Sequence, residues 1–178
     1  ITVTWSGNGN SANTQYTITY ANDIGFTVPQ TKNVTVNSGT IQSLSYNATY
    51  YIKVMATNGD GITTSYDSNV STFTLANTPA NTTVTGVGVN DATLTWFNNS
   101  NPGYTNYRLE RSSDINFGYG VVAVDVNATG ATSAGLLPNL TYFFRVAAIN
   151  VSGVMTVFDS TKSAQIANMA PNGFNLTA

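Results

Sequence analysis

The chain has no cysteine and no histidine among its 178 residues, and it has only one glutamate, Glu110. Thiol nucleophiles, imidazole bases and the usual zinc or haem ligands are therefore absent from the sequence. A catalytic carboxylate pair would have to be assembled from this glutamate and seven scattered aspartates. The composition predicts a protein that is not an enzyme and needs no cofactor or metal.

Charge is also scarce, at 8% of residues, about a third of the usual 25% share. Six basic residues and a net charge of −2 exclude a basic nucleic-acid path and disfavour an anionic membrane surface. No apolar run approaches the roughly 18–20 residues of a membrane span. We expect no nucleic-acid partner and no membrane insertion. No signal peptide opens the sequence, so we also expect a mature or trimmed fragment.

One block of sequence occurs twice. Residues 44–61 return as residues 136–153, so that Tyr50 and Tyr142 are 92 positions apart. Upstream, ITVTW at the start returns as ATLTW, with Trp5 and Trp96 91 positions apart. A period of this length is typical of a whole domain, so the chain is predicted to be an array of similar modules.

Both copies are built from short segments that are apolar at every second position, with turn residues between them. No segment keeps an apolar 3.6-residue period over three turns, so we predict strands and an all-β antiparallel sandwich. The predicted strands are 1–5, 16–20, 34–36, 40–44, 50–55, 70–75, 82–87, 92–97, 107–111, 121–126, 142–149 and 154–158.

The second copy carries a strand ending in Trp96, then Tyr-Arg-Leu-Glu-Arg, then Leu-x-Pro-x-x-Thr-Tyr-x-x-x-Val-x-Ala-x-Asn-x-x-Gly over residues 136–153. This pattern resembles fibronectin type III domains. The first copy has Tyr46 where proline is usual, but it keeps Trp5 and Tyr50. The resemblance implies two tandem immunoglobulin-like sandwiches. It also implies that four aromatic residues form the core signature, with Trp5 and Trp96 between the sheets and Tyr50 and Tyr142 as corner tyrosines whose hydroxyls bond backbone.

The predicted module boundaries do not coincide with the first and last residues of the sequence. Alignment predicts a module over residues 1–77 that lacks its first strand, a complete module over 78–168, and a spare first strand over 169–178. Pro171 lies 92 positions after Pro79, at the start of the complete module. Either a longer array is interrupted here, or the tail completes the first module of another unit. In the second case Pro171, Phe174 and Leu176 form an inter-subunit strand.

Nine Asn-x-Ser/Thr sequons occur, slightly more than the Asn-, Ser- and Thr-rich composition gives by chance. The sequon of Asn150 falls on an ordinary asparagine of the family pattern, which leaves eight glycan-acceptor candidates. They are Asn33, Asn47, Asn69, Asn81, Asn98, Asn127, Asn139 and Asn175. Glycans are thus a candidate partner, and they would supply the solubility that charge normally provides.

Three loops are candidates for binding sites. Residues 58–61, Asn-Gly-Asp-Gly, are rich in oxygen ligands but lack the spaced carboxylates of a calcium loop, so a simple turn is the better interpretation. Residues 98–104 and 112–120 could join that tip in a binding surface, as loops on sandwiches often do. No Arg-Gly-Asp tripeptide occurs, and generic loops are favoured.

Together these features predict a structural repeat unit of an extracellular filament, surface layer or long cell-surface protein. Its main partner would be itself, in a head-to-tail homopolymer or a continuing array of like modules. The alternatives are a spacer or carbohydrate-binding module of a secreted polysaccharide-degrading enzyme, and a receptor-like adhesion module. An aromatic platform on one sheet face would favour the first alternative, and a loop cluster that binds a partner would favour the second.

Overall fold

The computed structural model describes residues 1–173, and these residues form strands, turns and extended segments without a helix. The chain divides into two compact units, of which the first covers Ile1–Leu75 and the second begins at Ala76. All strand pairs are antiparallel. The all-β fold predicted from the alternating sequence is therefore confirmed.

The first unit has six strands in two sheets. A four-stranded sheet has the order β3-β2-β5-β6, and β1 pairs with β4 in a two-stranded sheet. The strands are β1 (Thr2–Thr4), β2 (Gln15–Ala21), β3 (Gln30–Val34), β4 (Ser38–Thr40), β5 (Thr49–Thr57) and β6 (Val70–Phe73).

The second unit repeats this arrangement with one strand more. Its four-stranded sheet has the order β10-β9-β12-β13, and its other sheet has three strands in the order β11-β8-β7. The strands are β7 (Ala80–Val87), β8 (Asp91–Phe97), β9 (Asn106–Ser112), β10 (Val122–Val126), β11 (Gly130–Ala134), β12 (Thr141–Ile149) and β13 (Lys162–Gln165).

The cores follow from the two-residue period of the strands, because successive side chains point to opposite faces of a sheet. In the second unit the inward positions of β8, β9 and β12 form a closed apolar cluster. Phe144 is its largest fully buried side chain, at 0% exposed. In the first unit only Ile18, Ile41 and Ile52 form the buried cluster, and the residues around them are only partly buried.

Three predicted strands were misplaced. Residues 34–36 and 40–44 were predicted as strands, but β3 ends at Val34 and β4 ends at Thr40. Residues 154–158 form only an isolated bridge, between Met155 and Ile149. The strand that completes this sheet is β13, and both β13 and β11 were missed because their sequences, KSAQ and GATSA, show little apolar alternation.

Three of the six basic side chains, those of Lys53, Arg108 and Arg145, lie on the outward face of the four-stranded sheets, because they alternate with inward-facing residues along β5, β9 and β12. The Arg145 guanidinium lies 4.0 Å from the ring centroids of both Phe117 and Phe158, and it also donates two hydrogen bonds to Glu110 Oε2. At the equivalent place in the first unit, Lys53 lies over Phe26 and Tyr66. These cation–aromatic stacks cover outward sheet faces with apolar surface while the charge stays near water.

Candidate assembly edge

The second unit shows how its three-stranded sheet is completed. There β8 lies between β11 and β7, with Thr83 opposite Thr95 and Val84 opposite Leu94. Bulges interrupt β7 on either side of these two pairs. The first strand of the module, β7, therefore covers one edge of β8.

In the first unit the counterpart of β8 is β1, since Thr4 and Trp5 match Thr95 and Trp96 at an offset of 91 positions. Among residues 1–173, β1 pairs only with β4. No described strand occupies the side of β1 where the second unit has β7. We name this side of β1 (Thr2–Thr4), with which no strand within residues 1–173 pairs, the acceptor edge.

The hydrogen bonds between β1 and β4 show which backbone groups of β1 lie on this edge. The Trp5 N–H donates to Asn37 O at 3.1 Å, and the Ile41 N–H donates to Ile1 O at 2.8 Å. The C=O group of Ile1 and the N–H group of Trp5 thus face β4. Because amide directions alternate along an antiparallel strand, the N–H and C=O groups of Thr2 and Thr4 point to the acceptor edge. Such unpaired groups are a template for strand addition.

Several side chains that are buried in the second unit have counterparts in the first unit that are partly exposed. Val146 and Ala148 are 0% exposed, whereas their counterparts Val54 and Ala56 are partly exposed. The same contrast separates Trp96, at 3% exposed, from Trp5. The first unit is therefore covered less completely on the side where β7 lies in the second.

A cleft opens at this place in the first unit. Its volume is about 260 Å³, and both polar and apolar side chains line it. Trp5, Tyr16, Val54, Ala56 and Asp67 are among the residues that line it. Trp5 packs edge-on against Tyr16, with 5.3 Å between ring centroids.

One carboxylate in each unit stands at the same position of the repeat, Asp67 in the first unit and Asp159 in the second. In the second unit the Thr82 N–H donates to Asp159 Oδ2 at 3.0 Å, which ties β7 to the chain after β12. Burial acts to raise the pKa of Asp159. The N–H groups of Thr82 and Ser160 outweigh this and hold the pKa below its ordinary value, with help from nearby Lys162. The folded second unit therefore holds Asp159 as an anion.

The counterpart of Asp159 in the first unit is Asp67. Its N–H donates to Val54 O at 2.9 Å, just as the Asp159 N–H donates to Val146 O at 2.8 Å. Its Oδ1 accepts the Ser68 N–H. No donor equivalent to Thr82 reaches Asp67 from within residues 1–173. Neither aspartate was predicted from the sequence, although Tyr66-Asp67-Ser68 returning as Phe158-Asp159-Ser160 was a signal that could have found them.

The predicted inter-subunit strand lies at the limit of the structure. Pro171 is exposed and belongs to no strand. Phe174 and Leu176 lie outside the described residues. The last backbone hydrogen bond seen in the second unit, within the part that the structure describes, runs from the Ala167 N–H to Gly88 O at 3.1 Å.

The core-signature residues lie as follows. The Tyr50 hydroxyl accepts the Ser45 N–H at 3.0 Å, and the Tyr142 hydroxyl accepts the Leu137 N–H at 3.3 Å. Each bond closes the corner before β5 or β12. Trp96 packs against Tyr107, with ring centroids 5.7 Å apart, between the sheets of the second unit.

The glycan-acceptor candidates do not share one environment. Asn47 is 1% exposed, so its side chain is enclosed in the folded unit. Asn175 lies outside the described residues. The side chains of the other six candidates are exposed: Asn33, Asn69, Asn81, Asn98, Asn127 and Asn139.

The loops considered for binding have structural explanations. Asn58 Oδ1 accepts the N–H groups of Asp60 and Ile62, which closes a turn. In loop 98–104, Asn101 is buried, and its side chain bonds the backbone N–H and C=O of Asn77. In loop 112–120, Asp114 accepts the N–H groups of Asn116 and Gly118. Among residues 1–173 no group of three His, Cys, Asp or Glu residues is placed to hold a metal ion.

Within residues 1–173 there is no helix that is long and apolar enough to cross a membrane.

The model of the fibronectin type III domain matches residues 1–73 and 77–163, and the chain belongs to this family. The fold and the two-module architecture are those implied by the sequence motifs. A comparison with curated proteins finds no match.

The solved structures that the chain matches include three of low sequence identity. The crystal structure of the chicken CNTN1 FN1–FN3 domains is 17% identical, with a TM-score of 0.46, over 94% of this chain and 60% of that one. The fibronectin type-III domain of human fibronectin type III domain containing protein 3 is 22% identical, with a TM-score of 0.47, over 55% and 92%. A structure described as a myokine is 15% identical, with a TM-score of 0.45, over 51% and 97%.

Proposed function

We propose that this chain is a non-enzymatic structural repeat unit of an extracellular filament, surface layer or long cell-surface protein, and that it assembles head to tail through its C-terminal segment. The observation that carries the proposal is the acceptor edge. No strand within residues 1–173 pairs with it, at the place where the second unit has β7.

The occupant proposed for this edge is residues 170–178 of a neighbouring unit. This segment has the counterpart of Pro79 at Pro171. In the register of β7, Asn175 would lie opposite Thr4 and Leu176 opposite Val3, as Thr83 lies opposite Thr95 and Val84 opposite Leu94. Val3 packs towards the core of the first unit, so Leu176 would enter that core.

The same arrangement leads to an open assembly. A tail and an acceptor edge are different surfaces, so their contact is heterologous, and heterologous contacts that do not close into a ring produce filaments. Each added unit would carry a new acceptor edge or a new tail. The low charge would let such units pack with little mutual repulsion.

The extracellular part of the proposal is supported by the six exposed sequons. They are distributed over both units: Asn33 and Asn69 in the first, and Asn81, Asn98, Asn127 and Asn139 in the second. Glycans at these asparagines would replace the solvation that charged residues normally give to a surface.

Electron microscopy of the purified chain tests this function. We expect thin fibres that lengthen with protein concentration and repeat every two modules. A denaturing gel of the same sample, which separates non-covalent fibres into single chains, shows that the units are joined by strands and not by peptide bonds. Short particles of constant size at every concentration would contradict the proposal.

A further inference from the structure

We propose that the outer edge of β10 pairs with the same edge of a second copy of this chain. The pairing would join the four-stranded sheets of the two second units into one continuous sheet. The two strands would run antiparallel about a twofold axis at Val124. This contact is separate from head-to-tail assembly and does not depend on it.

The strand β10 (Val122–Val126) lies at the edge of its sheet. One side of it pairs with β9, and no strand within residues 1–173 pairs with the other side. Alternate backbone N–H and C=O groups on that side are therefore available to an added strand. The sequence of β10, Val-Ala-Val-Asp-Val, is rich in the β-branched residues that favour strands.

The side chains along this edge are apolar and exposed. Val122 and Val124 are 49% and 43% exposed. Val124 lies opposite Leu109, a core residue, so it points to the inner side of the sheet, where the opposite sheet covers it incompletely. A cleft of about 230 Å³ opens there, and Leu109, Val124 and Ala134 are among the residues that line it.

The first unit protects the equivalent edge with a lysine. Lys32 of β3 lies opposite the core residue Ile18, which makes Lys32 the counterpart of Val124. Its ammonium group reaches across the sandwich and donates to Thr40 O at 2.6 Å, at the end of β4. A lysine that points inward from an edge strand opposes pairing with another chain. The second unit has a valine at this position and lacks this protection.

A second copy of β10 offers side chains that match those of the first. In the register centred on Val124, this residue would lie opposite its own counterpart in the other copy. Val122 of each strand would lie opposite Val126 of the other. Directly opposed β-branched side chains stabilise an antiparallel pair, and here three such pairs would close the exposed inner side of the edge.

The charges of the two copies are also compatible in this register. Asp125 would lie opposite Ala123, and its carboxylate is already paired, because the Arg108 guanidinium donates to it at 2.8 and 2.9 Å. A slide of two residues would place Asp125 opposite the same carboxylate of the other copy, and like charges in that position are destabilising. The charge pattern therefore favours one register, and it requires no charge from another kind of partner.

A twofold contact uses the same surface of both chains and closes at two copies. On its own it would produce a dimer. In chains that also assemble head to tail, it would join two fibres side by side.

Sedimentation velocity of the full chain carrying Thr4→Pro tests the pairing, because this substitution blocks the acceptor edge and leaves β10 unchanged. We expect a reversible dimer. Adding Val124→Lys, which introduces the residue of the first unit, should weaken the dimer by at least about 30-fold, since two ammonium groups would meet at the axis. Val157→Lys is the control, because Val157 is 76% exposed and lies in the same unit outside β10. It should leave dimerisation unchanged.

Cysteine cross-linking tests the register in the same Thr4→Pro background. Val124→Cys should form a reducible dimer, because opposed side chains in an antiparallel pair are close. Ala123→Cys should form much less, since this position lies opposite Asp125 and on the other face. A chain that stays monomeric at every concentration would overturn the proposal. So would a dimer that Val124→Lys and Val157→Lys affect equally. Failure of head-to-tail fibres alone would leave it standing.

Discussion

Replacing Thr4 by proline is expected to lower head-to-tail association by at least about 100-fold while both units stay folded. The Thr4 N–H points to the acceptor edge, and the bonds between β1 and β4 use the amides of neighbouring residues. Proline removes this donor and places its ring where the incoming strand must lie. The change is tolerated in the free chain because proline is accepted on strand edges that face solvent.

The matched change in the second unit is Thr95→Pro. Thr95 is the counterpart of Thr4, but it already lies opposite Thr83 of β7 and Gly130 of β11. Proline in such a central strand breaks a ladder bond and should destabilise the second unit by at least about 2 kcal/mol. One substitution should therefore stop assembly, and the other should lower folding stability.

Sedimentation velocity reports the association of both variants, and urea unfolding followed by circular dichroism reports their stability. The account would be contradicted if Thr4→Pro assembled like the unmodified chain. It would also be contradicted if Thr4→Pro unfolded the first unit as readily as Thr95→Pro unfolds the second, because β1 would then not be a free edge.

Replacing Trp96 by alanine is expected to lower the free energy of unfolding of the second unit by about 3–5 kcal/mol. The indole is 3% exposed and packs within the closed core. Its loss removes a large apolar surface from the core and leaves a cavity that the surrounding strands can fill only in part. Calorimetry of the whole chain measures this effect as a lowered transition temperature for one of the two units.

Trp5→Ala is the matched control. Trp5 is only partly buried and borders an open cleft, so in a chain whose head-to-tail assembly is blocked by Thr4→Pro its loss should be less costly than that of Trp96. In assembled chains the cost should rise, since the donated tail would cover the indole. Equal losses for the two tryptophans in the Thr4→Pro background would contradict the view that the first unit is incompletely covered.

The fold could be predicted from the sequence because it depends on a two-residue period and on a repeat that includes Trp5, Trp96, Tyr50 and Tyr142. The strand predictions that were wrong have a physical reason. Residues 154–158 alternate like a strand, yet they meet β12 through single bonds, such as that from the Thr156 N–H to Ala148 O, and form no ladder. The true edge strand, β13, is polar on its exposed face and carries no pattern.

The candidate site was predictable only in outline. Pro171, 92 positions after Pro79, predicts that residues 169–178 resemble β7, the strand for which β1 has no counterpart among residues 1–173. The cleft and Asp67 could not be foreseen, because a single carboxylate has no spacing that reveals its partners and a cleft depends on packing between strands. Asn47 shows that a sequence motif does not reveal whether its side chain is exposed. Its sequon is sound as a motif, but the folded chain buries the side chain.

Interchain cysteine cross-linking tests the central claim most directly, since the natural chain has no cysteine. In the second unit the side-chain oxygens of Thr83 and Thr95 lie 3.2 Å apart, so Thr4→Cys combined with Asn175→Cys places two thiols face to face across the joint. The account predicts a reducible ladder of covalent multimers for this pair and little for Thr4→Cys with Leu176→Cys, whose side chains would point to opposite faces. Equal cross-linking of both pairs, or of neither, would contradict strand donation in this register.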